Sequence, residues 1–174
     1  MKNRKVKGFT LIELIVVIAI IAVLAAILIP NLMGWVGKSS LRTANANAKA
    51  FATNSSTILA ELESQGVYLK VSKGSTVDSG VLTTAELTFD GEVDVNGTDT
   101  KYTQALFQKD VEEAAGLQKG SRWIVKFDDK GSVVAAAYSK DNGNSYIGAW
   151  PVESVEKNEF DSLAEAVAAE EKKD

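Results

Sequence analysis

The sequence predicts an α+β protein: one long N-terminal helix, half membrane anchor and half amphipathic spine, packed on a small antiparallel β-sheet head. Three observations carry this. An apolar run from Leu14 to Ile29 follows a basic start, an apolar stripe from Leu41 to Leu62 recurs at helical spacing, and three alternating segments separated by turns lie between residues 122 and 150. The 174 residues leave room for about one domain plus an anchor.

Residues 1–8, MKNRKVKG, carry Lys2, Arg4, Lys5 and Lys7. From Phe9 to Met33 only Thr10, Glu13, Pro30, Asn31 and small residues interrupt the apolar side chains. A hydrocarbon core about 30 Å thick needs roughly 20 mostly apolar helical residues, and this stretch supplies them. Leu11 to Ile29 holds fourteen Leu, Ile and Val residues. At about −0.5 kcal/mol each they favour insertion by roughly 7 kcal/mol, against about +3 kcal/mol for one carboxylate at mid-membrane. Insertion wins. The four leading cations, against Lys38 and Arg42 behind the segment, put the N-terminus in the cytoplasm and the rest outside. An ordinary secretory signal is the plainer alternative, but the run exceeds the usual h-region and no small-x-small site follows it. A plain single-pass anchor leaves Glu13 unexplained.

An ionisable group inside an apolar span requires a partner. Cleavage after Gly8 would expose an α-amine at Phe9, and that amine on a neighbouring subunit would neutralise Glu13 in a water-excluding bundle. The alternative is that Glu13 snorkels to the interface at one end of the span.

Lys7-Gly8-Phe9-Thr10-Leu11-Ile12-Glu13 resembles the prepilin peptidase recognition motif of type IV pilins and type II secretion pseudopilins. The resemblance covers about the first third of the chain. It implies that Gly8 is the last leader residue, that Phe9 is the N-methylated first residue of the mature chain, and that Glu13 sets subunit registry and assembly. It implies a prepilin peptidase/methyltransferase, an assembly platform and identical subunits as partners, with the membrane as host before assembly into a surface filament. Retention of Glu13 favours a major-type pilin within the shaft. The alternatives are a pseudopilin of a type II secretion or competence system, or a minor pilin displaying an adhesive head. Motility, adhesion, DNA uptake and secretion all remain open as the filament's task.

Pro30, Gly34 and Gly37 weaken the helix beyond the anchor. Pro30 marks either a simple kink or, by the resemblance, a segment that loosens on assembly. From Lys38, the residues Leu41, Ala44, Ala48, Phe51, Ser55, Ile58 and Leu62 form one stripe, with Asn45, Asn47, Lys49, Thr53, Asn54 and Glu61 on the other faces. Gly66 is the expected stop. The expected division is a leader over 1–8, an anchor helix over 9–33, its amphipathic continuation over 34–65, a head over 66–151 and an acidic tail over 152–174.

In the head, 67–71 and 87–97 suggest strands around turns, and 102–115 suggests a short helix ending at Gly116. RWIVKF, GSVVAAAYS and SYIGAW then suggest a three-stranded antiparallel meander packed on the helix stripe. By the resemblance this is the pilin head, without the disulfide that often closes it. The tail is either a short acidic helix or a frayed end.

Composition excludes much chemistry. With no His and no Cys there is no imidazole base, triad, His-ligated metal, thiol nucleophile, thiolate zinc or disulfide. Asp90, Glu92, Asp94, Asn96 and Asp99 place oxygen ligands at alternating positions, as calcium sites do. The run lacks an EF-hand's first Asp and its terminal Glu, where Thr103 stands, and no cofactor or metal is expected. No constellation supports an enzyme. The formal charge is −4, and loss of the leader's four cations takes it to −8. So acidic a subunit has no broad basic patch for direct nucleic-acid binding.

Overall fold

A computed structural model describes residues 9–71, 76–78, 87–94, 99–116, 120–141, 146–157 and 159–169. The expected leader over 1–8, Asn96 and the expected turn over 142–144 lie outside the described residues. The chain divides into two compact units, Met1–Gly37 and Lys38–Asp174. Helix α1, Leu11–Ser64, contributes to both.

In the first unit α1 is apolar on every side and nothing among the described residues covers it. An eighteen-residue window has a mean hydropathy of 3.3 with none of it buried, so it is long and apolar enough to cross a membrane. Pro30 lies inside the helix. Nearby, Asn31 Nδ2 donates to the Ile27 carbonyl at 3.3 Å, which gives this polar amide a partner within its own helix.

In the second unit α1 turns one face inward. Leu41, Ala44, Ala48, Phe51, Ser55 and Leu62 are buried, as the spacing predicts, and Ile58 is partly buried. Asn45, expected on an outer face, is buried as well. At 3.6 residues per turn it lies only about 40° round the helix from Leu41, inside the buried arc. The helix ends in a Schellman motif. Gly66 adopts φ 83°, a left-handed conformation that costs glycine little. Gly66 N donates to the Glu63 carbonyl at 3.0 Å and Val67 N to the Leu62 carbonyl at 2.9 Å, and Val67 and Leu62 both join the core.

Among the described residues eight strands follow: β1 (Tyr68–Lys70), β2 (Thr76–Asp78), β3 (Thr88–Asp90), β4 (Glu92–Asp94), β5 (Asp99–Lys101), β6 (Arg122–Phe127), β7 (Val133–Ser139) and β8 (Ile147–Trp150). Helix α2, Gln104–Ala115, lies between β5 and β6. Its N-cap Thr103 accepts from Leu106 N, and Gly116 caps its C-terminus. Helix α3, Leu163–Ala168, comes last.

The main sheet has the order β2-β6-β7-β8 and is antiparallel throughout. The expected meander β6-β7-β8 is present, but β2 adds a fourth strand at its edge. Three residues between Ser/Gly-rich stretches show no alternation long enough to reveal that strand. Two small ribbons, β1-β3 and β4-β5, complete the head.

Pleating sends alternate side chains of β6 and β7 to opposite faces. Trp123, Val125, Phe127, Ala136 and Tyr138 face the α1 stripe, where Phe51 stacks on Trp123 (5.1 Å between ring centroids) and on Tyr138 (5.7 Å). Gly148 of β8 lies so close to α1 that a Cβ there would overlap the Ala44 carbonyl and the Asn45 backbone nitrogen. Beside it Asn45 clamps the strand: its Oδ1 accepts from Ala149 N at 3.0 Å and Ser154 N at 3.2 Å, and its Nδ2 donates to the Ser154 carbonyl at 2.9 Å.

Ile124, Ala135, Ala137, Ile147 and Ala149 face the other way, against Phe160, Leu163, Ala166 and Val167. The second unit is therefore layered as α1, the main sheet and α3. Of the two expectations for the tail, the helical one describes Leu163–Ala168, and residues 170–174 lie outside the described set. Ser162 caps α3 by accepting from Glu165 N at 3.1 Å.

Candidate functional site

The sequence directs attention to four residues, Gly8, Phe9, Glu13 and Pro30. Gly8 lies outside the described residues. Phe9 is the first described residue and its side chain is 80% exposed. Pro30 stands seventeen positions beyond Glu13 in α1, so these two residues do not form one site.

Around Glu13 the geometry is specific. Thr10 Oγ1 accepts from Glu13 N at 3.3 Å, while Glu13 Oε2 accepts from Thr10 N at 2.8 Å and from Thr10 Oγ1 at 2.7 Å. This reciprocal pairing is a capping box, which satisfies backbone donors that a helix start otherwise leaves open. Leu14 N then donates to the Thr10 carbonyl at 3.3 Å, so helical hydrogen bonding begins within one turn of Phe9. Thr10 is the residue that sequence reasoning missed. The signal was present, since Thr10-Leu11-Ile12-Glu13 has the T-x-x-E spacing of such a box.

Glu13 Oε1 has no partner among the described residues. The carboxylate is thus anchored through one oxygen and open at the other, beside a span whose apolar side chains are all uncovered: Leu11 is 75% exposed and Ile12 65%. Chemically, such a group can take a cation or an amine from outside the chain, and its helix can take lipid or other apolar helices around it.

The acidic run in the head has other uses. Asp90 of β3 pairs with Lys70 of β1 at 2.7 Å, and the neighbouring Lys70 ammonium holds its carboxyl below the usual range. Glu92 and Asp99 lie on the β4-β5 ribbon, and Thr103 caps α2. Among the described residues no three acidic side chains converge as metal ligands would.

The family described as "Prokaryotic N-terminal methylation motif" matches residues 3–29, which include Gly8, Phe9 and Glu13. The chain is similar to the type IV wide pilus major component PilA4 of Thermus thermophilus, 77% identical over 30 residues, which are 17% of this chain and 23% of that protein. It is 44% identical over 59 residues to the type IV major pilin protein PilA of Myxococcus xanthus, covering 34% of this chain and 27% of that one. The chain thus matches only about a quarter of the length of these two relatives. A fimbrial protein of Pseudomonas aeruginosa matches more widely, 30% identical over 135 residues, 78% of this chain and 80% of the relative. No solved structure matches the chain. With the capped N-terminal helix, the antiparallel head and a relative matched over most of both lengths, the chain belongs to the type IV pilin family.

Proposed function

We propose that this chain is a major-type structural subunit of a type IV pilus and not an enzyme. It is made as a precursor whose leader, residues 1–8, is removed after Gly8 by a prepilin peptidase, and Phe9 is then N-methylated. The precursor sits in the membrane by its anchor over 9–33 with the N-terminus cytoplasmic. It leaves for an extracellular filament of identical subunits through an assembly platform, with the spine over 34–65, the head over 66–151 and the tail over 152–174 outside.

The observation that carries this reading is the uncovered apolar half of α1. Fourteen Leu, Ile and Val residues between Leu11 and Ile29 lie exposed, and the hydrophobic effect opposes leaving them in water. Lipid covers them before assembly and neighbouring helices afterwards. Glu13 supports the second environment. Its open Oε1 is free to accept the Phe9 α-amine of a neighbouring subunit, a pairing that a dry bundle would strengthen.

Intact mass and N-terminal sequencing of protein sheared from cells tests the reading. The expected result is a chain starting at methylated Phe9 in high-molecular-weight filaments. A chain retaining residues 1–8, or one cut near Ala25 to Pro30, overturns it. The variant Glu13→Gln separates the two uses of this side chain. Gln still serves a capping box but carries no charge, so the variant is expected to insert and be processed yet fail to assemble.

A further inference from the structure

We propose that an acid-rimmed groove on the head of one subunit receives a basic stripe on α1 of a second copy, joining subunits head to tail. The inference rests on the filament-subunit reading above and adds a specific contact between heads.

The groove, about 550 Å³, lies between the end of α1 and α2. Ile58, Leu62 and Leu106 floor it, and Glu61, Asp110 and Glu113 stand along it against a single lysine, Lys109. Asp110 accepts a hydrogen bond from the Tyr102 hydroxyl. None of the three carboxylates is in an ion pair among the described residues.

The stripe is Lys38, Arg42 and Lys49. All three are exposed on α1 and have no acidic partner among the described residues. Their spacing places them within roughly a 40° arc of the helix. Lys38 and Arg42 are one turn apart, as Asp110 and Glu113 are on α2, so two cations can meet two carboxylates at matching spacing.

Placement distinguishes a polymer contact from a pair contact. Around α1 the stripe lies roughly 140° from Glu61 and Gln65, on the opposite flank of the buried face. Complementary patches on opposite flanks make a heterologous contact, which propagates into rings or open filaments instead of closing as a two-fold dimer. Along α1 the stripe and the groove are separated by about 18 residues, or roughly 27 Å. A second copy with its α1 parallel and shifted by that distance brings its stripe level with the groove. An anionic lipid surface, by contrast, matches the stripe but not the groove's carboxylates, so it does not account for both patches.

The chain contains no Cys, so paired thiols can be introduced without background. The full-length variant Arg42→Cys/Glu113→Cys is expressed in the producing cells. Sheared filaments are treated with a short bis-maleimide and separated under denaturing conditions. The expected result is a ladder running well past the dimer, with neither single variant exceeding a dimer. In parallel, Lys38→Glu/Arg42→Glu is expected to lower filament yield by at least about tenfold, with recovery when Glu61→Lys/Glu113→Lys is added in the same chain. Wild-type filaments whose double-Cys chains stay monomeric, or a combined variant no better than its parents, overturn the docking alone. Absence of filaments from the wild-type chain overturns the subunit reading, and this contact with it.

Discussion

Replacing Asn45 with Ala tests how the edge strand β8 is held. The side chain makes three hydrogen bonds, to Ala149 N, Ser154 N and the Ser154 carbonyl, in a region where Asn45 is only 7% exposed and Ala149 and Ser154 are more deeply buried. Truncation leaves all three backbone groups unsatisfied at about 1–3 kcal/mol each, and partial entry of water brings the expected total to about 3–5 kcal/mol. Against a typical stability of about 5–15 kcal/mol, that is a large fraction. Asn45→Asp makes the argument sharper. It keeps both acceptor contacts but loses the donor and turns a carboxylate toward the Ser154 carbonyl. Burial then raises the folded-state pKa of the new carboxyl, so stability is greatest when it is protonated and is lost as pH rises through the carboxylate range. Denaturant unfolding of the full chain in mild detergent measures both, with fluorescence from buried Trp123 among the reporters. A loss below about 1 kcal/mol for Asn45→Ala at unchanged m would refute the clamp.

Other substitutions probe the same layers. Gly148→Ala drives a methyl into the backbone of Ala44, which has no rotamer to yield, so the loss is expected at or above the usual overpacking range of about 1–3 kcal/mol. Protease resistance of the head at native pH checks it, and wild-type resistance would contradict the close approach. Ser55 is fully buried and its hydroxyl lacks a partner among the described residues, so Ser55→Ala is expected to stabilise by about 1 kcal/mol, read as a raised unfolding midpoint. For the exposed Lys70–Asp90 pair, the lowered carboxyl pKa means its contribution is present above the unfolded carboxyl pKa and is lost as pH falls through the folded value. NMR titration of Asp90 in Lys70→Gln is expected to show a midpoint shifted upward toward that of a free carboxyl, and an unmoved midpoint would discount the pair.

Long, regular features were legible in the sequence. The apolar run, the α1 stripe, the α2 segment with its Gly116 stop and the three strands β6, β7 and β8 each repeat a period often enough to identify themselves. Short and non-local features were not. Strand β2 has three residues, and its partner β6 begins more than forty positions later, so pairing alone defines it. Asn45 reads as polar and therefore outward, yet its position on the helix arc places it inward, where its amide both accepts from and donates to the backbone at and beyond β8. Thr10 and Glu13 stand in one motif, but their mutual hydrogen bonds are local and no pattern of charge reveals them. The α3 segment, rich in Ala and Glu, hides Leu163 and Val167 as its docking residues.

That last packing arrangement sets an order in which the sheet is covered as the chain is made. The rear of the main sheet is covered by Phe160, Leu163, Ala166 and Val167, which follow its last strand, β8, along the chain and are synthesised after it. Until they emerge, Ile124 and Ile147 face solvent, and the head is an unfinished sandwich however early α1 and the sheet have met. Without Cys, no disulfide can hold that intermediate closed. Completion therefore waits for α3, and loss of the covering segment that holds Phe160, Leu163, Ala166 and Val167 would leave an apolar face of the sheet open.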